Sequence, residues 1–207
     1  MRRLALALLL IASAPADVLP RQLPPVDQCA TDAGFTRFRT ELGTIVAKRD
    51  RGALLALLAP DVLVDFGGGT GRTAFERDWT FDPAEYGNVW SQLDKMLKMG
   101  CARDGGSRII PSLPMQVEQD FDEEWVVVLP GGKIFKAVGE EAAHSAILPW
   151  TVATVTGRDS DTMTAVKLPD GRDGLVSDDL LYEPVGYRMI VEKRGGKWLI
   201  TAFVGGD

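Results

Sequence analysis

The residues that could do covalent chemistry in this 207-residue chain are few: Cys29, Cys101 and a single histidine, His144. A thiol nucleophile needs a base to make the thiolate, so the cysteines could pair with His144 only as an isolated Cys–His couple. The competing reading is a disulfide, the default for two lone cysteines in an oxidising compartment. It would close a loop of about 70 residues and stabilise the fold by about 4 kcal/mol in the chain-entropy model.

Other chemistry-bearing patterns fail on spacing. Gly67-Gly68-Gly69-Thr70-Gly71-Arg72-Thr73 follows a strand-like run, where a glycine-rich loop can cradle phosphate. The phosphate-loop pattern wants glycine where Phe66 stands and lysine where Arg72 stands. No βαβ unit follows, which removes the dinucleotide reading. A strand-to-helix turn remains. Asp120 to Glu124 is an acidic cluster, but a calcium loop from Asp120 would put glycine at Trp125 and glutamate at Gly131. His144 has no second histidine or nearby cysteine to share a metal. No metal or cofactor is therefore expected.

The elements that must position these groups are legible from periodicity. Phe35, Phe38, Leu42, Ile45 and Val46 recur at helical spacing, and Asp50 caps a second short helix carrying Leu54, Leu55, Leu57 and Leu58. Pro60-Asp61 is expected to stop that helix before a strand over Val62 to Phe66. The helix over Glu85 to Gly100 has a stripe of Tyr86, Val89, Trp90, Leu93, Met96 and Leu97, with Gly100 placed for a left-handed cap. Residues 102–116, punctuated by Gly and Pro, read as a crossing. Strand runs follow at Trp125 to Leu129 and Lys133 to Val138, then a mobile segment carrying His144. Tyr187 to Lys193 and Lys197 to Val204 form a hairpin about Gly195-Gly196. In its last strand Trp198, Ile200, Ala202 and Val204 share one face, with Leu199 and Phe203 opposite.

Met1 to Ala16 has the form of an export signal: Arg2-Arg3, an apolar run from Leu4 to Ala12, and Ala14-Pro15-Ala16 as a cleavage site. Removing its two arginines shifts the formal net charge from −6 to −8. That charge argues against a nucleic-acid partner, because phosphate binding needs a basic surface. No later run is apolar enough to span a membrane. A soluble periplasmic or secreted protein is expected. Residues 17–29, with Pro20, Pro24 and Pro25, read as an extended tether.

The stretch Trp150 to Tyr182 carries short β-runs divided by Asp and Gly turns. Val126-Val127-Val128, Ile134-Phe135-Lys136, Ile147 to Val152, Asp170-Gly171-Arg172-Asp173-Gly174-Leu175-Val176 and Asp179-Leu180-Leu181 follow one another in order. Together they resemble a bacterial Src homology 3-type domain, a five-stranded barrel common in exported proteins. Leu175 and Met163 stand where that family often has aromatics. The resemblance implies docking of cell-wall peptides or an accessory role. The Leu-Leu-Ala-Pro-Asp-Val-Leu-Val-Asp-Phe run and the closing G-G-K-W-x-x-x-x-F hairpin resemble a nuclear-transport-factor-two-like cone, a fold used by pocket enzymes and silent binding proteins alike.

The expected fold class is thus α+β: a helical α+β region over 30–116, a Src homology 3-like barrel over 117–183, and a hairpin over 184–207 packing back on 30–116. The expected function is a non-enzymatic exported binding or accessory protein of the cell envelope. It would engage a peptide, a cell-wall component or a protein partner through Trp150 and Tyr182. The alternatives are a small-molecule pocket enzyme using Asp65, Asp78 and a Trp90 wall, and a purely structural spacer.

Overall fold

A computed structural model of the chain describes residues 21–67, 69–117, 124–137, 143–160 and 162–206. The export-signal reading of residues 1–16 and most of the acidic cluster lie outside them. The first elements are α1 (Ala33–Lys48), α2 (Arg51–Leu57), β1 (Leu58–Leu63), α3 (Gly71–Asp78), α4 (Val89–Leu97), β2 (Ala102–Asp104) and β3 (Ser107–Ile110). Then follow β4 (Trp125–Val128), β5 (Lys133–Phe135), β6 (His144–Ala146), β7 (Thr151–Ser160), β8 (Met163–Lys167), β9 (Asp173–Ser177), β10 (Leu181–Tyr182), β11 (Arg188–Arg194) and β12 (Lys197–Val204).

The fold class is α+β. Local chemistry sets the helices. The Asp32 carboxylate accepts the Phe35 amide at the start of α1, and Asp50 accepts from Ala53 at the start of α2, supplying partners for otherwise orphaned helix N–H groups. All five stripe residues of α1 are buried. The third helix stripe is shorter than its periodicity suggests. Asn88 caps α4 by accepting from Trp90 and Ser91, so the helix starts there and Tyr86 lies before it, 58% exposed.

Two sheets result. One has the order β1-β12-β11-β3-β2, with β1 parallel to β12 and the other pairs antiparallel. The C-terminal hairpin therefore lies between strands drawn from residues 58–63 and 107–110. Two expectations are corrected here. The strand expected at Val62 to Phe66 begins instead at Leu58 and contains Pro60. It is an edge strand, where a residue with no N–H is tolerated. Residues 102–110 are not a crossing but a hairpin turned by Gly105-Gly106, and β3 fills the sheet between β11 and β2.

The face assignment of the last strand also changes. Val191 pairs with Ile200 while Ile190 pairs with Ala202, so Thr201 is an extra residue in β12. Such a bulge shifts the alternation by one. Phe203 consequently joins Trp198 and Ile200 on the helix side, where Trp198 packs edge-on to Phe35 and Phe203 edge-on to Phe75 and Trp79. Ala202 and Val204 face the other way.

The second sheet has the order β10-β4-β7-β8-β9-β5-β6, antiparallel throughout. It is an open sheet: among the described residues no β10–β6 pairing closes it into the expected barrel. His144 does not sit in a loop but in edge strand β6, opposite Phe135. Alternation along β4 joins the two halves of the molecule. Trp125, Val127 and Leu129 enter the larger core with Val152, Tyr182 and the helices, while Val126 and Val128 enter a smaller core with Ile134, Ala153, Val166 and Val176. A strand buried on both faces reads as a continuous apolar run, as this one does.

Candidate functional site

Cys29 and Cys101 form a disulfide, with Cα atoms 5.7 Å apart and both residues fully buried. This removes the thiol-nucleophile alternative. Asp27 lies beside the two sulfurs, but both sulfurs are bonded to each other and the carboxylate is paired with Arg39 at 2.7 Å. The group has no donor set left for a metal.

The disulfide anchors residues 21–29, which run extended along both halves of the molecule. Gln28 donates its amide to Cys101 O, and Cys101 donates to Val26 O. The Val26 amide donates to Ser112 Oγ. Gly100, with φ +69°, lets the strap pass, because a Cβ there would strike Val26 O and Ser112 Oγ. Gly100→Ala should therefore destabilise the fold by more than about 1 kcal/mol, read as a lower denaturation midpoint; no shift would contradict this packing.

Upstream, the strap reaches Trp150. The Leu23 amide donates to Trp150 O at 2.8 Å, and the Val152 amide donates to Arg21 O at 3.2 Å. Gln22 Nε2 donates to Pro149 O at 2.9 Å. Trp150 holds φ +64°, a left-handed conformation that costs a non-glycine residue about 1–3 kcal/mol. Its amide donates to Val128 O at 2.7 Å, and Thr151 Oγ1 closes the preceding turn onto Leu148 O. The Trp150 ring is half-buried against the larger core, and Leu148, two residues before it, is 69% exposed.

Tyr182 is placed differently from Trp150. It lies in β10, 5% exposed, and its hydroxyl donates to Tyr187 O at 3.2 Å. Burial pushes its phenol well above the ordinary range, so it stays neutral. Tyr182 is therefore part of the larger core, against which Trp150 is only partly buried.

The groups considered for a pocket enzyme each have a local partner. Asp65 accepts the Gly69 amide. Arg77 binds Asp78 through two nitrogens, and that hydrogen-bonded pairing holds the Asp78 carboxyl below its usual range. The Trp90 indole is buried and donates to Phe81 O.

A residue that periodicity did not single out is Lys95, on α4. Its Nζ reaches Leu181 O at 3.4 Å. Burial lowers its pKa, outweighing Asp179, Asp178 and Glu183, which raise it. Asp178 also accepts from Thr164 Oγ1, and Arg158 bridges Glu124 and Glu183. The folded chain releases the Lys95 proton before the unfolded chain does, so this lysine makes stability rise with pH between its folded pKa and 10.5. Lys95→Met should abolish that rise without lowering the melting temperature at pH 7, as thermal melts across the alkaline range would show.

Among the described residues, no helix is long and apolar enough to cross a membrane. No family model matches the chain, and no curated protein matches it. Among solved structures, it is similar to a protein of Shewanella frigidimarina named as a ketosteroid isomerase, at 9% identity and TM-score 0.30, over 87% of this chain and 98% of that one. It is also similar to a protein of Xanthomonas campestris named as a calcium/calmodulin-dependent protein kinase II association domain. That match has 12% identity and TM-score 0.29, over 91% of this chain and 97% of that one. At these scores the two likenesses carry no argument about what this chain does.

Proposed function

We propose that this chain is an exported binding or accessory protein of the bacterial cell envelope, engaging a peptide, a peptide-bearing cell-wall component or a protein partner at the rim around Trp150. The observation that carries this reading is Trp150 itself. A large aromatic residue is held in a costly left-handed conformation, half-buried, where the strap meets the second sheet. Strain of this kind is retained where the surrounding structure puts it to use.

Four further features support the reading. The Trp90 ring packs on Phe81, which packs on Phe75, and Phe75 and Trp79 pack on Phe203, a continuous aromatic core that suits a packed scaffold better than a reaction chamber. The β7-β8-β9 meander, the 3-10 turn over Asp178–Leu180 and the return of β10 onto β4 favour a Src homology 3-type arrangement for residues 125–182. Helices on one face of the five-stranded sheet favour a cone for the remainder. A buried disulfide suits an oxidising compartment, and with the leader-like residues 1–16 it supports export.

The test is cosedimentation of the mature chain with purified peptidoglycan sacculi and binding to an array of extended synthetic peptides. Trp150→Gly removes the ring while relieving the backbone, so it should stay folded and lose at least fivefold in capture, with Trp150→Phe retaining most of it. Equal capture by Trp150→Gly and wild type, or no capture of either probe by wild type, would overturn the reading.

A further inference from the structure

We propose that the backbone slot beside Trp150–Val152 is a strand-addition site for an extended peptide, and that residues 21–23 are its built-in competitor. The inference rests on reading the Trp150 rim as a binding surface.

The slot follows from the register of β7. On one side, Thr151–Thr154 pair with β4. On the other side, pairing with β8 begins only at Thr154, opposite Lys167. Residues 150–153 therefore present one unpaired edge, with the Trp150 carbonyl and the Val152 amide available for a further strand. An unpaired edge is a template for another chain. Here the strap takes it in antiparallel register, Gln22 opposite Thr151, through Leu23 N–H to Trp150 O and Val152 N–H to Arg21 O. The left-handed turn at Trp150 sets that carbonyl at the head of the slot.

The occupant shows what a ligand must supply. Arg21, Gln22 and Pro24 are exposed, so their side chains demand little. Leu23 is half-buried against the larger core, which asks for one apolar side chain at that position. Its N–H must be free to donate, which excludes proline there, whereas proline is accepted immediately after. Main-chain bonds with one or two side-chain pockets are how extended peptides bind sheet edges. Charge adds a preference. Residues 117–183 carry 14 Asp and Glu against five Lys and Arg, a net of −9, whereas residues 17–116 and 184–207 together carry 15 against 16. A cationic residue at the Arg21 position suits that acidic unit.

The strap is tied down six residues later by the Cys29–Cys101 bond. A tethered competitor acts at a high effective concentration, so an external peptide meets an occupied slot in the wild-type chain. Loss of the strap's hold opens it.

The experiment uses the mature, disulfide-bonded chain and a labelled synthetic peptide spanning residues 19–26 of the same sequence. Leu23→Pro removes the amide donated to Trp150 O, and Leu23→Gly weakens only the apolar anchor. Peptide binding should be at least tenfold tighter to Leu23→Pro than to wild type, with Leu23→Gly between them. A peptide N-methylated at the Leu23 position should lose at least tenfold on either variant. Hydrogen exchange at the Val152 amide reports whether the slot is vacated. A folded variant whose Val152 amide exchanges freely but which binds the peptide no better than wild type would overturn the proposal, as would equal binding of the N-methylated peptide. An unchanged, protected Val152 amide in both variants would overturn the strap's role as competitor. Trp150-dependent capture of sacculi alongside a failed slot would leave the broader reading standing, whereas loss of that dependence removes the reading itself.

Discussion

Breaking the Cys29–Cys101 bond, by reduction or by the double replacement Cys29→Ala and Cys101→Ala, should cost about 4 kcal/mol of folding stability. The bond joins residues 72 apart, and cross-linking a loop of that length removes a correspondingly large entropy from the unfolded chain. The closed loop contains α1 to α4 and β1, so the constraint acts on most of the helical half. Both cysteines are fully buried, and alanine in their places leaves only a small void. Denaturant titration with and without reductant measures the loss, with a larger m-value in reductant because the unfolded chain without the cross-link exposes more surface. A difference below about 1 kcal/mol would mean that the unfolded chain is already held compact by other contacts. Strap docking should weaken in parallel, seen as faster exchange at the Leu23 and Val152 amides.

Phe203→Ala should destabilise by about 3–5 kcal/mol, the range for removing a fully buried aromatic side chain. The Phe203 ring lies 4.9 Å from the Trp79 ring, 5.6 Å from Phe75 and 5.9 Å from Tyr187. No single neighbour can collapse into the space without breaking its other contacts. Leu199→Ala, on the opposite face of the same strand and half-buried, should cost less than half as much. The comparison is a direct test of the Thr201 bulge. Without it, strict alternation would put Phe203 and Leu199 on one face. Urea denaturation of the two variants gives both numbers, and similar losses would contradict the bulge.

Features set by neighbours in the chain are legible in the residue types themselves. The Asp50 cap, the α1 stripe and the Gly195-Gly196 turn each depend on residues within one or two turns of one another. The turn glycines take φ +57° and +83°, as a two-residue hairpin loop requires. The acid cap holds because a carboxylate three residues ahead meets an unpaired amide. Expectation and fold part where distant strands decide the outcome. Pro60 breaks helices locally, yet it sits inside β1 because that strand is at a sheet edge. Residues 102–110 carry a Gly-Gly turn, but β3 exists because β11 supplies its partner.

The candidate site divides the same way. The sequence alone determined that Trp150 stands in a β-rich stretch, that two cysteines were available to pair, and that no familiar phosphate, calcium or thiol-nucleophile pattern was complete. Only the tertiary structure decided that Tyr182 is walled in and that Lys95 loses much of its solvent. It also decided that residues 21–23 lie against Trp150–Val152. Caps, turns and stripes are short-range hydrogen bonds and steric preferences, which residue type reports directly. The strap's place depends on an unpaired edge more than a hundred residues away, whose existence is set by where β8 stops pairing.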